Sequence, residues 1–328
     1  VSAPLAVVTG GTGFVGSHIV DELLGRGARV RCLVRRSSSL RWLEGKPVET
    51  VVAPFDDAAK LAAAVEGATW IVHAAGLVSA RRPAEYHEAN VVGTERMLRA
   101  AFTAGPTLKR FLFISSQAAS GPSRDGMPVS EAHPPRPVSA YGESKLRAEE
   151  LVLQMRDRLP VSVVRPPAVY GPRDESFLKL FAALKRHVQP VLRAGGRFSL
   201  VHAEDLARAC CLTLEDDRAV GEIFFASEPD ATDYETVGRL AKRGMGTWAF
   251  RFDPPGWLLT TGALAGEAVA ALTGRPAFLS RAKLREITAG DWICSSGKIR
   301  SRLGWAPQVP LQAGIAATAA WYRDAGWI

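Results

Sequence analysis

The stretch "VVTGGTGFVGSHIV", residues 7–20, decides the fold. An apolar run ends in glycines at 10, 11, 13 and 16, and residues with helical spacing follow at once. A strand that turns on glycine into a helix aims backbone N–H groups and the helix N-terminus at a pyrophosphate. A glycine-rich run alone says little. At the first strand-to-helix turn of an alternating chain it says a great deal. The spacing is Gly10-x-x-Gly13-x-x-Gly16 after Thr9, which differs from the Gly-x-Gly-x-x-Gly of many dehydrogenases. Gly10, Thr12, Gly13, Phe14, Val15 and Gly16 are therefore expected to contact a dinucleotide.

The alternation continues outward from that turn. "SHIVDELLGRG" is helical and closes on Gly27, "ARVRCLVRR" is a second strand, "AAKLAAAVEG" a helix and "TWIVHAAG" a strand. "YHEANVVGTERMLRAAFTAG" is a long amphipathic helix, "LKRFLFISSQ" a strand, "SAYGESKLRAEELVLQM" a helix and "VSVVRPPAVYG" a strand. Strands apolar on both faces, separated by helices, describe a parallel sheet covered on both sides. Right-handed crossovers make it doubly wound. "RFSLVHAEDLARACCLTLE" reads as one more strand and helix of that sheet. The expected division is a cofactor domain over 1–168, a substrate-lobe insertion over 169–197, a return to the sheet over 198–228 and a smaller C-terminal substrate lobe over 229–328.

The bulk numbers agree with a globular protein. Of 328 residues 47% are hydrophobic, enough to bury a sizeable core. Cys32, Cys210, Cys211 and Cys294 show no Cys-x-x-Cys spacing, which argues against a disulfide framework and a thiolate metal site and for a reducing, cytoplasmic setting. No metal is expected. The net charge of +8 is spread along the chain, so an anionic small ligand explains it better than nucleic acid. With the sequence running straight into the strand "LAVVTGG", no secretory signal is expected. The apolar stretch "GWLLTTGALAGEAVAALTG", 256–274, carries Glu267 and several glycines, so the expectation is a buried or substrate-lining helix and no membrane span.

Cofactor choice is set after the second strand. An acid there binds the ribose hydroxyls of NAD, and a cation favours the 2′-phosphate of NADP. This chain places Arg35, Arg36 and Ser37 at that point. The arginine fork suits phosphate oxygens, so NADP(H) is expected over NAD(H).

Five landmarks in order, "TGGTGFVG" (9–16), "HAAG" (73–76), "YGESK" (141–145), "RPPAVYGPRD" (165–174) and "LVHAEDLARA" (200–209), resemble the extended short-chain dehydrogenase/reductase family, the group of NAD-dependent epimerases, dehydratases and hydroxysteroid-type dehydrogenases. The resemblance implies an α/β, Rossmann-type doubly wound sheet with a smaller C-terminal substrate-binding lobe. It implies that Tyr141 exchanges a proton with the substrate oxygen and that Lys145 lowers the tyrosine's pKa and holds the nicotinamide ribose. It implies a hydroxyl partner, matched by Ser116 with Ser115 as the alternative. Asn90 matches a residue that supports the site from beneath. Ala74, Ala75 and Gly76 match the turn beside the ribose and pyrophosphate, and Pro166 and Val169 a segment along the nicotinamide. His73 is expected to be packed, and His202 with Asp205 to join the lobes.

Two positions depart from the family's pattern. Pro54 stands where an adenine-reading aspartate is common, leaving Phe55 or Asp56 to contact the base. Gln117 and Ala118 replace the Asp-Glu pair of sugar dehydratases, which argues against dehydration. The expected function is interconversion of a ketone and a secondary alcohol on a hydrophobic or mixed small molecule. A nucleotide-sugar epimerase is the alternative and a non-catalytic cofactor sensor the remote one. By the same resemblance, the helices bearing Asn90 and Tyr141 are expected to pair with a second copy's in a homodimer.

Overall fold

A computed structural model describes residues 3–191, 196–273 and 280–328. Residues 192–195, at the end of the expected insertion, and Gly274, at the end of the apolar stretch, lie outside the described residues. The strands are β1 (Leu5–Thr9), β2 (Arg29–Val34), β3 (Val48–Val52), β4 (Trp70–His73), β5 (Arg110–Ile114), β6 (Val161–Arg165), β7 (Ala168–Tyr170), β8 (Val188–Pro190), β9 (Leu200–His202), β10 (Ile223–Phe225) and β11 (Phe250–Phe252). The helices are α1 (Phe14–Gly25), α2 (Ala58–Val65), α3 (Pro83–Tyr86), α4 (Gly93–Ala101), α5 (Ala140–Gln154), α6 (Glu175–Lys185), α7 (Ala203–Glu215), α8 (Tyr234–Met245), α9 (Gly256–Thr273), α10 (Arg281–Thr288), α11 (Gly297–Leu303) and α12 (Leu311–Asp324).

Seven strands form one parallel sheet in the order β3-β2-β1-β4-β5-β6-β10. The chain winds outward from β1 in both directions, so the sheet is doubly wound as expected. Every residue of β1, β5 and β6 is buried, which is why these strands read as unbroken apolar runs. Two cores result. One lies under α1 and α7 and contains Ile19, Leu23, Cys32, Leu206 and Cys210. The other lies under α2, α4 and α5 and contains Leu61, Met97, Phe111, Ala148 and Val152. A third, aromatic cluster joins Tyr170, Phe181 and Phe198 to Tyr322 of α12.

Register places the site. Thr9 pairs with both Leu33 and His73, and His73 with Phe113, so these strands end level. The glycine turn, Arg35, Ala74–Gly76 and Ser116 all follow those ends. They converge where strand order reverses beside β1, the usual ligand crevice of such sheets.

Three expectations need correction. "VSVVRPPAVYG" is not one strand: Pro166 and Pro167 lack the N–H that a central strand donates, and they split it into β6 and β7. The strand in "RFSLVH" forms, but β9 pairs with β7 in a separate two-stranded sheet, and the last strand of the main sheet is β10. The apolar helix α9 is not a core helix: of its described side chains only Ala263 is buried.

Candidate active site

The glycine turn is built for close approach. Gly10 has φ +75°, and a Cβ there would lie 2.7 Å from the Ala75 nitrogen. A Cβ on Gly16 would lie 2.1 Å from the Gly10 oxygen, so only glycine lets α1 start this near the turn. Gly13 N–H donates to the Gly10 carbonyl (3.0 Å) and Gly13 caps α1 with no side-chain acceptor. The first-turn N–H groups of α1 are thus a partial positive charge available to an anion. Arg35, Arg36 and Ser37 stand exposed just beyond β2, and among the described residues no carboxylate pairs with either arginine. This cradle fits a dinucleotide, with cations in place for an added phosphate.

His73 ties the turn to the helix below it. Its Nδ1 lies 2.7 Å from Thr9 Oγ1 and its Nε2 lies 3.1 Å from Thr94 Oγ1. Thr94 donates its hydroxyl to the Asn90 carbonyl (2.6 Å), so Nε2 must carry the proton and Thr9 must donate to Nδ1. Thr9 Oγ1 is then free to accept from Ala75 N–H (3.2 Å). Burial, helped by the Lys145 charge, drives the imidazole pKa down to about 3. His73 is thus a neutral packed relay. Phe55 leans on it at 5.7 Å between ring centres, and a Cβ on Gly93 would lie 3.0 Å from the Phe55 ring. Asp56 is exposed.

Asn90 lies in a π-helical stretch, His87–Val92, between α3 and α4, so the long helix expected there is interrupted at a candidate site residue. Its Oδ1 accepts from Leu77 N–H (2.7 Å), and its Nδ2 donates to the Leu77 carbonyl (3.0 Å) and to Ser144 Oγ (2.9 Å). Ser144 in turn donates to the Tyr141 carbonyl (2.7 Å). One buried amide thereby fixes the loop after Gly76 to the first turn of α5.

Ser139 caps α5 by accepting from Gly142 N–H (3.1 Å). Gly142 has no Cβ, which would sit 2.3 Å from the Ala118 carbonyl, so α5 begins directly against the segment after Ser116. Tyr141 and Ser116 meet there. Burial pushes the Tyr141 phenol up to about 12, the hydrogen bond with Ser116 opposes the shift, and the charge of Glu286 and the neighbouring Tyr86 add to it. Ser116 Oγ also accepts from Ala118 N–H (3.1 Å), which leaves its own proton for the tyrosine oxygen. Ser115 points elsewhere, donating to buried Glu149.

Lys145 is buried one turn along α5. Its Nζ donates to the Ile114 carbonyl (2.7 Å) and lies 4.2 Å from the centre of the Phe113 ring. Burial lowers its pKa to about 8, against the pull of Glu149. The Lys145 ammonium is turned to the Ile114 carbonyl, and the phenol is acted on chiefly by burial, Ser116, Glu286 and Tyr86. Pro166 and Val169 flank this corner. The Pro166 carbonyl accepts from Gln117 N–H (2.8 Å), and Val169 lies in β7.

Several site residues escaped the sequence reading. Glu149 and Arg165 form a buried pair, with Nε 3.0 Å from both carboxylate oxygens and Nη2 2.5 Å from one. The signal available was the i+4 step from Lys145 to Glu149 on α5. Tyr86 places its ring 5.9 Å from that of Tyr141, and Glu286 reaches the same corner from the C-terminal lobe. No local spacing announces these two. His202 and Asp205 join the lobes instead: Asp205 accepts from Gln308 N–H (2.7 Å) and Val309 N–H (3.1 Å), and His202 caps α7 and packs on Tyr170.

Comparison with known proteins gives the family. The sequence profile of the NAD dependent epimerase/dehydratase family matches residues 6–225. The chain is 33% identical over 331 residues to a ceramide reductase of Caulobacter vibrioides, covering 99% of this chain and 96% of the other. It is 30% identical over 322 residues to a 4-hydroxy-2-methyl-3-oxo-4-farnesyl-3,4-dihydroquinoline-1-oxide ketoreductase of Stigmatella aurantiaca, covering 94% of each. Its fold matches that of the Thermotoga maritima UDP-glucose 4-epimerase with a TM-score of 0.80, at 23% identity over 98% of this chain and 99% of that one. The chain belongs to the NAD-dependent epimerase/dehydratase family and is an enzyme of the extended short-chain dehydrogenase/reductase type.

Proposed function

We propose that this enzyme is an NADP-dependent ketoreductase, interconverting a ketone and a secondary alcohol on a hydrophobic or mixed small molecule. The observation that carries the reading is Tyr141 set against Ser116 beside the glycine cradle, with buried Lys145 donating to the Ile114 carbonyl one helical turn away. Burial pushes the phenol up to about 12, so it keeps its proton at neutral pH and Tyr141 can pass it to a carbonyl oxygen. The relatives at 33% and 30% identity are both named reductases of molecules with long apolar parts, which supports a substrate of that kind. The likeness to the sugar epimerase supports the fold alone.

The nicotinamide cofactor, when bound, supplies the hydride that reaches the carbonyl carbon. Ser116 donates a hydrogen bond to the carbonyl oxygen, and Tyr141 passes its proton to that oxygen as charge develops. Lys145 holds a fixed positive charge at the same corner and reaches toward the cofactor ribose. Asn90 keeps the floor rigid through Leu77 and Ser144. Gly10, Thr12, Gly13, Phe14, Val15, Gly16 and Ala74–Gly76 cradle the pyrophosphate, with Phe55 toward the base and Pro166 and Val169 toward the nicotinamide. Residues 1–168 and 198–228 carry the cofactor in this reading, and 169–197 with 229–328 the substrate.

The test is loss of reduced-nicotinamide absorbance with NADPH and a panel of long-chain ketones. Turnover to the secondary alcohol is expected. Epimerisation of a UDP-sugar, with no ketone reduced, would assign the alternative function. Arg35 and Arg36 also predict cofactor choice. Arg35→Asp should weaken NADPH binding by about 10–100-fold, the value of charge-assisted hydrogen bonds to a phosphate, and leave NADH binding near the parent value. Equal affinity of the parent for both cofactors would remove the phosphate-reading role.

A cytoplasmic setting fits four buried, free cysteines. We also propose a homodimer through α4 and α5. Light scattering should then give twice the 35.2 kDa chain mass at micromolar concentration, and a mass of one chain would refute it.

A further inference from the structure

We propose that α9 and the strand leading into it form a docking surface for an anionic lipid bilayer, lying on the membrane without crossing it. At about 100° per residue, Trp257, Leu258, Leu264, Val269 and Leu272 fall within about 140° on one side of α9. All five are exposed, Trp257 by 69% and Leu272 by 88%. The sheltered residues Leu259, Ala263 and Glu267 fall on the opposite side, where Arg281 of α10 binds Glu267 through its backbone N–H (2.8 Å) and Nε (3.0 Å). The inner face is therefore already used, and among the described residues the face without a partner is the apolar one. Just upstream, Trp248 and Phe250 are each 69% exposed. Large apolar side chains gathered on one outer face are uncommon in a protein that meets only water.

Charge identifies the occupant. Residues 234–288 hold eight Lys and Arg against four Asp and Glu, half of the chain's net +8 in a sixth of its length. Arg243, Arg251, Arg281 and Arg285 are exposed there; Arg251 and Arg281 already pair with Glu235 and Glu267, which leaves Arg243 and Arg285 for an anion. A second copy seated on this face would set like charge against like charge across a two-fold axis. An anionic headgroup layer neutralises the arginines while Trp257 and its neighbours enter the acyl boundary. No helix among the described residues is long and apolar enough to span a membrane, so α9, about 27 Å long at 1.5 Å per residue, lies in the interface plane. This surface stands independently of the substrate reading.

The experiment is flotation of the full-length protein with phosphatidylcholine vesicles, with and without phosphatidylglycerol. Co-flotation with the anionic vesicles and release by high salt are expected. Trp257→Ser with Leu264→Ser should lower the bound fraction by about tenfold or more, since two large side chains lose burial. Arg285→Glu, which leaves the apolar face intact, should lower it about fivefold. Parent protein that stays below the vesicles, equal binding to neutral vesicles, or variants that float like the parent would overturn the proposal. Light scattering without vesicles provides a further arm: a mass that falls in the Trp257/Leu264 variant would give the face to a second copy, also overturning it.

Discussion

Tyr141→Phe is expected to slow ketone reduction by about 10²–10⁴-fold, the usual worth of a positioned general acid, while NADPH binding stays near the parent value. The phenylalanine ring keeps the packing: Tyr141 is half-buried, and its neighbour Tyr86 lies 5.9 Å away, ring to ring. What disappears is one hydroxyl, with the proton it carries and the hydrogen bond from Ser116. Ser116 keeps its bond from Ala118 N–H, so the local 3₁₀ turn at Gln117–Ala119 survives. The loss should fall on kcat and on kcat/KM alike, because the proton is needed only as the alkoxide forms. Single-turnover rates with a confirmed ketone and a separate NADPH titration check both halves. A parent-like rate would make Tyr141 a helix residue and nothing more.

The parts legible in the sequence were those that local spacing encodes. The glycine turn had to be glycine, because a Cβ on Gly16 would overlap the Gly10 carbonyl. Tyr141 and Lys145 share a helix, and their i, i+4 spacing was visible without any fold. Five of the sheet's seven strands, β1, β2, β4, β5 and β6, followed from apolar runs, whereas β3, with no buried residue, and β10 did not. What stayed hidden depends on contacts distant in sequence. Arg165 ends a strand that any parallel sheet could contain, and only the fold brings it to Glu149, sixteen residues earlier. Glu286 comes from the other lobe. Spacing along the helix does not tell where the ammonium points: Lys145 donates to the Ile114 carbonyl. The misreading of α9 has a similar origin: apolar composition is the same for a core helix and for one whose partner lies outside the chain.

Lys145→Ala is expected to damage turnover and cofactor affinity together, and so to differ from Tyr141→Phe. The substitution leaves no orphaned carboxylate, because Glu149 keeps its three hydrogen bonds from Arg165. The fold should survive at a cost of about 2–5 kcal/mol for the emptied space, the range for removing a long buried side chain. NADPH binding should weaken by about 10-fold or more, and turnover should fall by at least about 10²-fold, since a charge is lost where the alkoxide develops. The pH profile gives an independent reading. Burial lowers the Lys145 pKa to about 8, so the ammonium is fully present below that pH and is lost above it. Reduction by the parent enzyme should therefore decline as pH rises through about 8. A guanidinium does not titrate in that range, so Lys145→Arg, if it retains measurable activity, should lose this limb. Should the decline persist unchanged in Lys145→Arg, another group titrates there, and the charge of Lys145 is not what the reaction needs.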